Sequence, residues 1–138
     1  MIILVDTPVW SLFFRRRRGQ LNAGQEALRS ELAELIEEGR AQLIGPVRQE
    51  VLSGIREQTQ FQLLRERLRA FVDPVVELED YEEAARGSNV CRAKGIATSA
   101  PDMLLCAMAI RREWHVLTTD GDFRHYAKVL PVRLYEAR

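Results

Sequence analysis

The stretch that decides the fold is Ile2-Ile3-Leu4-Val5-Asp6-Thr7-Pro8-Val9-Trp10. Its first four residues form an apolar run rich in β-branched side chains, which reads as a buried strand with an acid at its carboxyl end. Thr7 and Pro8 then read as a helix start, with Thr7 as N-cap and Pro8 at the first helical position. The short helix that follows carries Val9, Trp10, Phe13 and Phe14.

Working outward, the alternation repeats. Leu28, Leu32, Leu35 and Ile36 fall at helical spacing within residues 25–38, and Gly39 is the stop. Residues 41–44 read as a second strand, followed by a helix opened by Pro46 and another through Phe61, Leu64, Leu68 and Phe71. Residues 74–78 read as a third strand and 80–95 as a helix. Pro101 opens a helix so apolar, through Met103, Leu104, Leu105, Ala107, Met108 and Ile110, that it must be buried on most sides. A fourth strand at 115–119, a short helix at 123–127 and a last strand at 132–135 complete the pattern. Strands alternating with helices indicate an α/β fold, a parallel sheet covered on both faces.

Length and composition agree. The 138 residues suit one domain over 1–138, large enough to bury about two-thirds of the unfolded surface without staples. Hydrophobic residues at 46% and charged ones at 29% exclude a disordered chain, and no apolar run nears the roughly 18 residues that span a bilayer. No signal peptide is visible. Cys91 and Cys106 read as small buried hydrophobes in a reducing cytoplasm. The net charge is zero but uneven: residues 26–38 hold five acids against one base, 73–83 hold six acids and no base, and Arg15-Arg16-Arg17-Arg18 is an unbroken basic run. The two acidic stretches read as solvated surface. A neutral total therefore does not exclude a polyanionic partner.

Acids recur at the junctions of these elements. Asp6 ends the first strand, Asp120 and Asp122 follow the fourth, Asp102 lies in the first turn of the buried helix, and Glu50 lies one turn into the helix opened by Pro46. In open α/β sheets the ligand crevice lies beyond the carboxyl ends of the strands. Each acid alone has a structural reading as a cap, a turn residue or a solvated helix face. Jointly they would repel one another, and a hard divalent cation such as Mg²⁺ offsets that repulsion. Zinc is disfavoured, because there is no Cys-x-x-Cys and His115 and His125 lack ligand spacing. Phosphate-binding glycine loops, a dinucleotide fingerprint and a nucleophile elbow are absent.

Four segments in order, Val-Asp-Thr-Pro-Val-Trp (5–10), Gln-Glu-Val-Leu-Ser-Gly (49–54), Gly-Ile-Ala-Thr-Ser-Ala-Pro-Asp-Met-Leu-Leu-Cys-Ala (95–107) and Leu-Thr-Thr-Asp-Gly-Asp-Phe (117–123), resemble a PIN-domain ribonuclease. The size and the Glu-Val-Leu-x-Gly segment resemble the VapC toxins of prokaryotic toxin–antitoxin pairs. The resemblance covers the whole chain. It implies a five-stranded parallel sheet of order 3-2-1-4-5 with helices on both faces, which makes strands one and four neighbours. It also implies metal-site acids at Asp6, Glu50, Asp102 and Asp120, with Asp122 as a fifth, and a hydroxyl at Thr118 beside the scissile phosphate or its water. Pro8 departs from the family pattern, which often has a small hydroxyl residue there.

The implied activity is Mg²⁺- or Mn²⁺-dependent hydrolysis of RNA phosphodiesters, inhibiting translation, with Glu50 holding or deprotonating water. The implied partners are RNA, a cognate antitoxin and a second copy of the chain in a homodimer. No membrane is implied, and the setting is cytoplasmic. Once the five site acids are set aside, 15 of the 20 acidic groups remain against 20 basic ones. Arg15, Arg16, Arg17 and Arg18 are the first candidates to grip RNA, with Arg48, Lys94 and Arg124 weaker ones. Core packing accounts for two of Trp10, Phe13 and Phe14, and an exposed third would suit an antitoxin helix in a groove. The rival readings are a non-catalytic RNA- or protein-binding module of the same fold and a metal-dependent DNase.

Overall fold

The computed structural model describes residues 1–15 and 18–138. Arg16, Arg17 and the side chains of Arg15 and Arg18 lie outside the described residues. Strand β1 (Ile3–Val5) pairs in parallel with β2 (Ala41–Gln42) on one side and β3 (His115–Leu117) on the other. β4 (Arg133–Leu134) pairs in parallel with β3, so the sheet runs β2-β1-β3-β4. The helices are α1 (Thr7–Arg15), α2 (Ala23–Glu37), α3 (Gly45–Leu52), α4 (Gln58–Leu68), α5 (Leu78–Ala93), α6 (Ala100–Arg112) and α7 (Asp122–Val129). Ile3, Leu4 and Val5 are each 0% exposed. Successive strand side chains point to opposite faces, so both faces of β1 are covered. Among the described residues no helix is long and apolar enough to cross a membrane.

Local chemistry sets the helix ends. Asn22 and Gln25 cap α2 reciprocally, and its exit turns through Gly39 at φ 71°, a left-handed conformation that favours glycine. Ser99 opens α6 by accepting the Asp102 amide at 3.3 Å, with Pro101 in the first turn. Met103, Leu105, Cys106, Met108 and Ala109 are buried along α6, as its composition demands.

Among the described residues the sheet has four strands rather than five, because residues 74–78 do not form the expected third strand. Side chains take one backbone acceptor inside this segment and two just ahead of it. Gln42 Nε2 donates to Val72 O at 3.0 Å, Arg48 Nη2 to Phe71 O at 2.9 Å and Arg112 Nη2 to Val75 O at 3.4 Å. Pro74 has no N–H to offer a ladder. The order 3-2-1-4-5 is thereby reduced by its outermost strand, and the central adjacency of the first and fourth expected strands is present as β1 beside β3.

The reading of 73–83 as solvated surface also needs correction. Asp80 on α5 is 0% exposed and accepts Arg111 Nη1 at 2.7 Å, Arg112 Nη1 at 2.8 Å and Nη2 at 3.0 Å, while its Oδ2 accepts the Glu77 amide at 2.8 Å. Burial pushes its carboxyl up, but these donors outweigh burial and hold it far below the usual carboxylate range. Glu31 of the other acidic stretch is likewise buried, accepting Tyr135 Oη at 2.6 Å and Arg138 Nε at 3.0 Å. Asp80 pins α5 to the carboxyl-terminal end of α6, the helix whose other end carries Asp102. Asp80→Asn leaves two partly shielded guanidiniums with only the more exposed Glu77 as counter-charge. Urea unfolding should show it less stable than wild type by about 2 kcal/mol with an unchanged m-value.

Candidate active site

β1–β3 pairing does not stop at Val5. The Asp6 amide donates to Leu117 O at 2.9 Å, so the acid sits where the two strands leave the sheet. Its carboxylate is held on both oxygens: Oδ1 accepts the Thr7 amide at 2.8 Å and Oδ2 accepts Thr118 Oγ1 at 2.7 Å. Thr118 Oγ1 in turn accepts the Asp120 amide at 3.0 Å, and Asp120 Oδ1 accepts the Asp122 amide at 2.9 Å. One run of hydrogen bonds therefore links Asp6 to the Asp-Gly-Asp turn.

Asp6, rather than Thr7, caps α1. Its carbonyl accepts the amides of Val9 and Trp10, and its carboxylate accepts that of Thr7. This frees the Thr7 hydroxyl, which donates to Glu50 Oε2 at 2.5 Å and joins the start of α1 to α3. Asp102 enters from the first turn of α6, where its Oδ2 accepts Tyr126 Oη from α7 at 3.0 Å.

Asp102, Asp120 and Asp122 each offer a carboxylate oxygen, all within 4.8 Å of one another. Asp6 and Glu50 stand outside that trio but couple to it electrically. Burial, partly offset by the Thr118 and Thr7 bonds and reinforced by Asp102 and Glu50, raises Asp6 to about 6. Asp102 is raised by burial first and then by Asp120 and Glu50, against the Tyr126 and Ser99 bonds. The Cys106 thiol, buried beneath, is pushed up by desolvation and by the Asp102 charge, which leaves it an inert core group.

The donor set fits a hard divalent cation. It is all carboxylate oxygen, and its span matches opposite sides of a shell with metal–oxygen distances of roughly 2.0–2.5 Å. The charges of Asp120 and Glu50 help to raise Asp102, and an added positive charge would offset that repulsion.

Among the expected cationic groups, Arg16, Arg17 and the side chains of Arg15 and Arg18 lie outside the described residues. Arg48 is committed to Asp73, with Nε and Nη2 each 2.8 Å from a carboxylate oxygen. Lys94 and Arg124 are exposed, as is His125, whereas His115 lies in β3. Trp10 is fully buried, donating Nε1 to Val5 O at 3.0 Å, while Phe13 and Phe14 are half-buried. Sequence reading missed Thr7 as the Glu50 partner and Tyr126 as the Asp102 partner. The second had a signal, since Tyr126 lies four residues after Asp122 and so on the same helix face.

The PIN domain family matches residues 3–129, and the chain belongs to that family. Solved structures share the fold. FitAcB from Neisseria gonorrhoeae superposes with a TM-score of 0.74 at 22% identity, covering 98% of this chain and 97% of that one. VapBC2 from Rickettsia felis, bound to a DNA fragment from its promoter, gives 0.70 at 15% identity over 98% of each chain. VapBC-1 from nontypeable Haemophilus influenzae gives 0.69 at 11% identity, covering 99% and 98%. No curated protein sequence matches the chain.

The raised Asp6 has a thermodynamic consequence. An unfolded aspartate ionises near 3.9, so between that pH and about 6 the folded state binds more protons than the unfolded one, and stability falls as pH rises. In chelator, Asp6→Asn should therefore exceed wild type by about 2 kcal/mol at pH 7. Urea titrations at a series of pH values should find that advantage gone below about pH 4.

Proposed function

We propose that the chain is the toxin of a toxin–antitoxin pair, a single nuclease domain spanning residues 1–138. It acts in the cytoplasm as a Mg²⁺- or Mn²⁺-dependent endoribonuclease that inhibits translation by hydrolysing RNA phosphodiesters. The observation that carries this reading is the meeting of Asp6, Glu50, Asp102, Asp120 and Asp122, from four separate parts of the chain, at one end of the sheet. Family membership and the toxin–antitoxin complexes among the structural relatives support it.

Asp102, Asp120 and Asp122 would hold the ion, with Asp6 and Glu50 beside it. When bound, such an ion neutralises phosphate charge and lowers the pKa of water. Glu50, bonded by Thr7, would orient the attacking water and accept its proton. Thr118 donates a hydrogen bond to Asp6 and would hold it in position beside the scissile phosphate or its water. Ser99 accepts the Asp102 amide and so fixes the first turn of α6, which carries this acid. Exposed Lys94 and Arg124, together with Arg15–Arg18, would steer the phosphodiester backbone to an otherwise acidic crevice.

An inhibitory partner has a natural seat. A groove of about 570 Å³ is lined by Phe14, Ile55, Leu63 and Leu64, with Arg56 and Arg67 at its rim. Its apolar floor and mixed-charge edge suit an amphipathic helix of the antitoxin. A second apolar face, with exposed Tyr81 beside Ala84, Pro101 and Leu104, suits a homodimer contact.

Wild type, Asp6→Asn and Asp102→Asn, each purified free of any co-expressed partner, should be incubated with total RNA in Mg²⁺, Mn²⁺ or excess chelator. Discrete cuts that need the metal and fall at least about a hundredfold in either folded variant are expected. Cutting that survives chelator overturns the proposed chemistry. No cutting by folded, metal-loaded wild type favours the binding module, and equal cutting of DNA favours the DNase.

A further inference from the structure

We propose that Tyr126 is a positioning residue. Its hydroxyl, reaching from α7 to the start of α6, orients the Asp102 carboxylate for the ion shared with Asp120 and Asp122. The inference rests on the metal-dependent reading above and adds a residue to it.

The geometry supports a dedicated donor rather than incidental packing. Tyr126 is 1% exposed, and its Oη donates to Asp102 Oδ2 at 3.0 Å. The ring is held edge-on against Phe123, with centroids 5.2 Å apart and planes at 73°. Phe123 is itself fully buried. A phenol fixed this way has little rotamer freedom, so its hydroxyl is a rigid donor rather than an adaptable one. Asp122 opens α7 and Tyr126 follows four residues later, so one face of one short helix supplies both an acid to the trio and a donor to the acid from the neighbouring helix.

Asp102 needs such a tether. It stands half-buried within reach of the charges on Asp120 and Glu50, and that repulsion favours side-chain rotamers that swing it away from the trio. The Tyr126 bond acts against that swing by tying one carboxylate oxygen. Outer-shell donors to metal-binding carboxylates typically change ion affinity by about 10- to 100-fold.

Tyr135 provides an internal control. Its hydroxyl also donates to a buried carboxylate, Glu31 Oε1 at 2.6 Å, but outside the acidic trio. Mn²⁺ binding should be measured by calorimetry on wild type, Tyr126→Phe and Tyr135→Phe, with folding checked by circular dichroism. The expected result is an Mn²⁺ Kd about tenfold weaker in Tyr126→Phe and unchanged within about twofold in Tyr135→Phe. RNA cleavage by Tyr126→Phe should recover when Mn²⁺ is raised in proportion.

Tyr126→His retains a ring and an N–H donor, and is the second variant if the phenylalanine protein does not fold. Its affinity should lie below wild type, and above Tyr126→Phe where both fold. Equal Mn²⁺ affinity in wild type and a folded Tyr126 variant overturns the positioning role while leaving the nuclease reading intact. A folded wild type that binds no Mn²⁺ overturns both.

Discussion

Parallel pairing of β1 with β3 sets Val5 opposite Leu117 and carries Asp6 and Thr118 past the last paired residues to the same end of the sheet. The Asp6 amide still reaches Leu117 O, and the Thr118 hydroxyl closes onto the Asp6 carboxylate across 112 residues of sequence. Three of the other four site acids take their place relative to this junction. Asp120 hangs from Thr118, Asp122 from Asp120, and Glu50 from Thr7, which directly follows Asp6. A one-residue slip in this register would turn the side chains of β1 to the opposite faces and break the link to Thr118.

Two buried aspartates define the opposite uses of charge in this molecule. Asp80 is surrounded by the guanidiniums of Arg111 and Arg112 and is held strongly ionised, so it fastens helix to helix. Asp6 is 6% exposed, has among the described residues only a hydroxyl and an amide for donors, and faces Asp102 and Glu50. Its raised pKa is the mark of a group placed against its own stability, and such groups concentrate at functional sites. The fold tolerates that strain because the surrounding framework is secured elsewhere: by the fully buried strand β1, by Trp10 bonded to Val5 O, and by the Asp80 cluster.

Much of the architecture was legible in residue order. The apolar run before Asp6, the near-continuous apolar surface of 103–110 and the Gly39 stop all encode local structure through side chains close in sequence. The expected strand at 74–78 meets contacts invisible locally: Arg112 reaches Val75 O from a distant element, and Gln42 and Arg48 take the carbonyls of Val72 and Phe71 just ahead of it. Arg48 illustrates the same limit. Near Glu50 in sequence it looked available to RNA, yet folding delivers Asp73 to it as a bidentate partner. The acidic run at 73–83 looked solvated until two arginines from α6 arrived at Asp80.

The sequence by itself determined the alternation of strands and helices, the acids at the element junctions, and the resemblance that joined them, because periodicity, caps and motif spacing are properties of neighbouring residues. Only the tertiary structure decided which hydroxyl serves which carboxylate. Thr7 passed from helix cap to Glu50, and Tyr126, one helical turn beyond Asp122, proved to hold Asp102. Hydrogen bonds and charge coupling depend on distances of a few ångströms between groups tens of residues apart, and those distances exist only once the sheet has brought its strand ends together.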